Sequence, residues 1–274
     1  MRAAGGGFPH PVRDGHFRGG GRIRGTPVSG AVRSFLVALH FLTIFPYPRG
    51  SMVEGEDLGR SMAHFSSVGA LLGGILWLAD NLLRPYLPLD LINILLLALL
   101  TVLSGGLHWD GLADTLDGLG AGGGRHEMLA AMRDSRLGTF AVLGLILLIL
   151  FDLSLLHHLG ERRGTYLFLS PLLSRFSLVV LALTQPYAGA EGGVAKEFVE
   201  RVGGRELALA GGIALLACLI LLGLRGLLLL VVVGAFTLLV GGYLRRRLGG
   251  ITGDSLGAHN ELVGALVWLF GCLC

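Results

Sequence analysis

Asp110, Asp114 and Asp117 recur at spacings of four and three residues in the stretch LHWDGLADTLDGLG. On a helix of 3.6 residues per turn they fall within roughly 60° of one another, on one face. Like charges so placed repel by about 0.2–0.5 kcal/mol per pair in water, and by more beside hydrocarbon. A shared cation removes that repulsion. Hard divalent ions such as magnesium take oxygen ligands, commonly one or two carboxylates completed by waters and substrate phosphates. The face therefore predicts Asp110, Asp114 and Asp117 as metal ligands. Asp134 of MRDSRLG offers a fourth carboxylate, returned by the intervening glycine-rich turn AGGG.

The surroundings point the same way. Glycines crowd the motif at 105, 106, 111, 118, 120 and 122 to 124; they permit a close backbone approach to a ligand, and a helix N-terminus after AGGG would accept an anion. Arg133 and Arg136 offer charge-assisted contacts to phosphate oxygens. His108 stands two residues before Asp110, close enough to support it. A solvated helix face at a membrane border would also carry aspartates, but it needs neither helical register nor this density of glycine.

A second polar motif, GGITGDSLGAHNEL, sets Asp254 and Glu261 seven residues apart with His259 and Asn260 between them, so the two carboxylates lie within about 20° on an ideal helix. On the same side of the membrane, Asp254, Asn260 and Glu261 would complete a metal or substrate shell. Thr252 or Asp254 as the N-cap of a last helix explains part of this motif, and the two readings are compatible. Arg175, inside an apolar stretch, has two alternatives. Antiparallel packing puts it within about 4.5 Å in depth of Asp152, suiting a buried ion pair, or it turns toward a substrate phosphate.

What must position these residues is a membrane bundle. The chain has 274 residues, 53% of them hydrophobic and 15% charged, with a mean hydropathy of +0.70; soluble domains carry about 25% charged residues. We expect an all-α, polytopic transmembrane helical bundle of about six to seven spans, with a short re-entrant or interfacial helix near the N-terminus. That helix is the apolar stretch from Phe35 to Phe45, which ends at Pro46 and Pro48. The expected spans are Ser66 to Leu83, Leu91 to Leu107, Thr139 to Leu159, Thr165 to Tyr187, Leu207 to Leu224 and Leu227 to Leu244, and Leu262 to Cys274 is too short to span well. Residues 1–33 read as a disordered basic tail and 34–274 as a single integral-membrane domain.

Charge fixes the expected orientation. The net charge of +3 comes from arginines beside the apolar runs rather than from a basic groove with interleaved aromatics, which argues against nucleic-acid binding. The tail has no apolar core of signal-peptide length, so it is expected to stay on the cytoplasmic side. Six spans then place both polar motifs and Arg245 to Arg247 in the cytoplasm, with Arg162 and Arg163 as exceptions outside. Cys218, Cys272 and Cys274 lie in apolar segments without zinc-site spacing, and we expect them to pack.

LHWDGLADTLDGLG, RDSRLGTF and TGDSLGAHNEL, preceded by FLTIFPYP, together resemble the cobalamin synthases, the adenosylcobinamide-GDP ribazoletransferases, in the same order and over about residues 34–270. The resemblance implies a magnesium-dependent membrane enzyme of the cell (inner) membrane. Such an enzyme transfers the cobinamide phosphate of adenosylcobinamide-GDP to α-ribazole or its 5′-phosphate and releases GMP. It implies Asp110, Asp114 and Asp117 on a Mg2+ bridging the diphosphate, and one of them or Asp134 as base. Arg136 would sit on the phosphoryl oxygens or the departing GMP, with Asp254, Asn260 and Glu261 in support. The expected partners are these two substrates and membrane lipid, and association with other cobalamin-assembly enzymes is left open. Two positions depart from the family pattern: Ser66 replaces a common proline, and Gly189 stands where a basic residue is expected.

Two other classes fit the motifs less well. Lipid-type alcohol phosphotransferases also hang spaced aspartates on membrane helices, but their DGxxAR signature fails here, where Ala113 is followed by Asp114. An ion-coupled transporter would use Asp80, Asp152 and Arg175, yet no pair of broken spans in corresponding halves supports one.

Overall fold

The computed structural model describes residues 30–47, 53, 55–189 and 193–274. The expected basic tail lies outside the described residues as far as residue 29, and residues 30–33 belong to the first helix, α1 (Gly30–Leu42). The expectation of an all-helical bundle holds. α2 (Gly55–Ser61), a 3₁₀ turn (Met62–His64) and α3 (Phe65–Leu83) form one long run. It is followed by α4 (Leu89–Leu103), α5 (Leu107–Gly120), α6 (Arg125–Ala131), α7 (Thr139–His158) and α8 (Arg163–Thr184). Then come α9 (Val194–Arg201), α10 (Gly204–Leu222), α11 (Leu224–Leu248) and α12 (Gly253–Leu273).

Among the described residues six stretches are long and apolar enough to cross a membrane: Gly55–Leu83, α7, α8, α10, α11 and α12. The bent pair α4 and α5 would make a seventh. The protein is thus a multi-pass membrane protein by the length and composition of its helices. Side chains such as Leu147 (64% exposed), Ile220 (71%) and Leu239 (73%) face outward from α7, α10 and α11, where only hydrocarbon would receive them without cost. α8 is the central post: it packs along α3, α10, α11 and α12 and buries most of its length, including Arg163 and Arg175.

Two expected boundaries are corrected. The second span does not run from Leu91 through Leu107: α4 stops at Leu103 and the chain turns by 90° into α5. Gly105 and Gly106 make the turn at φ +63° and +69°, a left-handed backbone that a Cβ would disfavour. The carboxylate motif therefore sits on its own helix, crosswise to the span before it. The last apolar stretch is likewise no stub. α12 begins at Gly253 within the second polar motif and runs for 21 residues, because the motif's polar side chains turn inward and keep the helix going.

At the end of the bundle where α3 finishes and α8 starts, Arg163 is only 1% exposed and acts as a staple. Its Nε donates to Asp80 Oδ1 at 2.8 Å and its Nη2 to Asn93 Oδ1 at 2.7 Å, while Nη1 reaches the Leu156 carbonyl. Arg84 adds a contact to Asp80 Oδ2 at 3.1 Å. α3, α4, α7 and α8 are thereby tied by one guanidinium. Arg163 is thus a paired, buried charge, which accounts for its exception to the charge rule, and Asp80 is its counterion rather than a transport path.

Candidate functional site

The site forms where α5 meets the start of α12. Thr252 caps α12: its Oγ1 accepts from the Ser255 N–H at 3.1 Å, and the Ser255 Oγ accepts from the Thr252 N–H at 2.8 Å. This reciprocal pair satisfies donors that a helix start leaves open. The first turn then presses on α5. A Cβ at Gly111 would lie 2.6 Å from the Asp254 carbonyl oxygen, and one at Gly257 would lie 3.2 Å from the His108 Cα. Only glycine lets the backbones approach this far. The two polar motifs, 140 residues apart in the chain, thus share one place.

A strap of backbone holds the rim. The Ala188 N–H donates to the Ile251 carbonyl at 2.8 Å and the Ile251 N–H to the Pro186 carbonyl at 2.9 Å, pinning the end of α8 to the start of α12. Tyr187 on this strap has its hydroxyl raised above the ordinary value by burial, and further by the Asp254 carboxylate.

Beneath the strap is a cavity of about 350 Å³. Its polar wall comes from α5 and α12, with His108, Asp110, Thr252 and Asp254, and Arg133 and Tyr187 add to it. Its other walls are apolar, from Phe41, Met62, Phe65, Leu129, Met132, Leu178, Val194 and Phe198. The exposed Asp110 and half-buried Asp254 stand at its rim.

The other carboxylates have different settings. Asp114, one turn beyond Asp110, is half-buried on the same helix. Asp117 is taken up by α7: its Oδ2 accepts from the Gly138 N–H at 2.6 Å and its Oδ1 from the Ala141 N–H at 2.8 Å. It is the N-terminal cap of that helix, supplied from another element. Asp134 and Arg136 pair with each other at 2.6 Å, both exposed, outside the cavity lining. The Arg136 contacts hold the Asp134 carboxyl down at about 2.

No three His, Cys, Asp or Glu side chains among the described residues gather as a metal-holding group. Asp110 with Asp114 one turn on, and Asp254 across Gly111, still provide the hard oxygen donors that suit magnesium when substrate phosphate and water complete its shell. The donor chemistry therefore fits such an ion.

Below the polar wall, inside the bundle, lies a second layer. His108 Nδ1 is 3.2 Å from Asn260 Nδ2 and 3.4 Å from Arg175 Nη2. The Glu261 carboxylate stands near the same nitrogen, with Oε1 at 3.6 Å. Asn260 also donates to Glu261 Oε1 at 3.0 Å, and Arg175 to Ser174 Oγ at 3.0 Å. Arg175, Asn260 and Glu261 are thus brought together, and they lie beneath the cavity rather than lining it. Of the two alternatives for Arg175, the ion pair with Asp152 is not formed: among the described residues no such contact exists, and Asp152 Oδ1 and Arg175 Nε are buried without a hydrogen-bond partner. Both line a small void of about 10 Å³ between α7, α8 and α12.

Residues 34–272 match the protein family described as cobalamin-5-phosphate synthase. The chain belongs to that family. It is 40% identical over 231 residues to an adenosylcobinamide-GDP ribazoletransferase of Geotalea daltonii, covering 84% of this chain and 93% of the relative. The ribazoletransferase of Pseudomonas fluorescens is 40% identical over 239 residues, covering 86% and 97%. That of Caldanaerobacter subterraneus is 33% identical over 242 residues, covering 87% and 97%. No solved structure matches the chain.

Both departures noted against the family pattern find a place. Ser66 donates its hydroxyl to the Ala210 carbonyl at 2.9 Å, tying α3 to α10. Gly189 lines the cavity, and a Cβ there would lie 2.3 Å from the Tyr187 hydroxyl. Tyr187 fills the space beside the position where a basic side chain was expected. Sequence reasoning missed Tyr187 and the aromatic set Phe41, Phe65 and Phe198. They are ordinary apolar residues in the chain, and only the fold gathers them.

Proposed function

We propose that the protein transfers the cobinamide phosphate group of adenosylcobinamide-GDP to α-ribazole or α-ribazole 5′-phosphate, releasing GMP in the late nucleotide-loop assembly step of cobalamin biosynthesis. The observation that supports this most is the meeting of the two polar motifs at one cavity, in a chain whose relatives are named for that reaction. A ribose hydroxyl oxygen attacks the phosphorus that carries cobinamide. The bond from that phosphorus to the GMP oxygen breaks, GMP keeps the electron pair, and the hydroxyl proton passes to a carboxylate at the rim.

Asp110 and Asp254 are the carboxylates that line the cavity and would face such a substrate. Asp110 and Asp114 would hold Mg2+, which when bound neutralises charge on the diphosphate. Arg133 stands ready for a phosphate oxygen. His108, held at Nδ1 by Arg175 and Asn260, presents its ring to the cavity as a hydrogen-bonding group for the substrate. Asp117 acts by placing α7 against α5. Arg136 and Asp134 shape the loop beside the site.

The cavity end of the bundle carries Arg125, Arg133, Arg136, Lys196 and Arg245 to Arg247. The far end carries Arg84, Arg162, Arg163 and Arg225, of which Arg84 and Arg163 are paired with Asp80. This asymmetry supports a site facing the cytoplasm in the cell (inner) membrane.

The test is GMP release by purified protein in lipid from adenosylcobinamide-GDP and α-ribazole 5′-phosphate with magnesium. Substrates that remain intact, with no GMP above a vesicle blank, would overturn the reading.

A further inference from the structure

We propose that the apolar half of the cavity is the seat of the acceptor's base, and that the corrinoid and the guanosine stay outside it. This assignment rests on the function proposed above. Size is the first argument. A cavity of about 350 Å³ lies at the low end of the roughly 300–1,000 Å³ of small-molecule clefts. A corrin ring with its amide arms does not enter such a space, whereas a two-ring aromatic base does.

The second argument is polarity. Phe198 lies 4.4 Å from Phe41 and 5.6 Å from Phe65 between ring centroids, and Leu129, Met132 and Leu178 close the remaining apolar wall. Guanine would bring a carbonyl, a ring N–H and an amino group into this wall, and unpartnered polar groups there are costly. The dimethylbenzimidazole of α-ribazole has methyl groups along the corresponding edge and requires no partner. The three rings pack on one another into a single aromatic wall, and aromatic walls favour an aromatic ligand.

The third argument is direction. All the carboxylates of the cavity lie on the α5 and α12 wall, with Asp110 and Asp254 at the rim. A base lodged among the phenylalanines directs its ribose toward that wall, where the attacking hydroxyl is needed. The diphosphate substrate then approaches from the open side, past Arg133.

The experiment uses the full-length protein in lipid discs and follows the intrinsic fluorescence of the benzimidazole as α-ribazole binds, alongside binding of adenosylcobinamide-GDP. Ala195 lines the cavity from α9, so Ala195→Leu reduces its volume. Phe198→Leu keeps the wall apolar but removes one ring from the aromatic set. Each variant is expected to weaken α-ribazole about tenfold or more and to raise its KM, while the KM of the nucleotide substrate moves less than twofold. The assignment is overturned if the loss falls on adenosylcobinamide-GDP or on GDP instead, which would make this the guanosine seat, or if neither ligand is affected. A wild type that turns over both substrates keeps the functional reading intact in those cases. A wild type that neither binds α-ribazole nor releases GMP overturns the reading and this assignment together.

Discussion

Asp117 is held to Gly138 through its Oδ2 at 2.6 Å, and through its Oδ1 to Ala141 at 2.8 Å. One of three carboxylates in helical register thus caps a neighbouring helix, while Asp110 lines the cavity and Asp114 lies half-buried one turn on. Their substitutions should differ in kind. Asp117→Ala is expected to cost about 1 kcal/mol of stability through the lost cap, read as a lower unfolding temperature in detergent, with some activity left. Asp114→Asn is expected to abolish turnover with normal expression and membrane insertion. Full activity in Asp114→Asn would demote the carboxylate face to a membrane border.

Metal dependence follows from the same helix. Asp110 and Asp114 alone do not complete an ion's shell, so binding should be weak without substrate phosphate. Chelation with EDTA is expected to stop GMP release, and added magnesium to restore it. Asp110→Asn should raise the magnesium concentration needed for half-maximal rate by about tenfold. An unchanged magnesium curve in that variant would remove Asp110 from the ion.

How much of this was legible in the chain follows from which forces are local. Apolar runs gave the number of spans, because burying twenty residues in hydrocarbon is a property of a segment. The 90° turn before α5 was not legible, since Gly105 and Gly106 read equally as a continuing span with close packing. The register of Asp110, Asp114 and Asp117 was legible as a face, but a face has no label for what opposes it. α7 opposes one edge of it and the cavity another. The meeting of Asn260 with His108 and Arg175 was not legible, because the depth of Asn260 and Glu261 below the cavity depends on how α12 begins at the Thr252 and Ser255 cap.

Asp134 is a poor candidate for the general base. Its carboxyl is held at about 2, first by the Arg136 side chain and then by the Arg136 backbone N–H. A folded value below the ordinary one means that the ionised form is favoured at neutrality, and that this preference is lost only as pH falls through that value. Between about pH 5 and 9 its charge is constant. Asp134→Asn is therefore expected to leave the acid limb of the activity profile where it is in the wild type. A limb shifted by half a pH unit or more would return Asp134 to the reaction.

Arg163 offers the cleanest separation of stability from catalysis. It sits at the opposite end of the 22-residue α8 from Tyr187, and about 22 Å along that helix from Leu178, its first residue on the cavity wall. Its guanidinium satisfies Asp80, Asn93 and the Leu156 carbonyl at once. Removing one member of a buried ionic set strands its partners, at a cost of about 3–5 kcal/mol. Arg163→Ala is thus expected to lower the unfolding temperature sharply. Arg163→Lys should fall between, because an ammonium keeps the charge for Asp80 but cannot fork toward Asn93 as well. In the protein that remains folded, the KM values of both substrates should match the wild type. A changed KM with an unchanged unfolding temperature would mean that this end of the bundle communicates with the site, contrary to a purely structural staple.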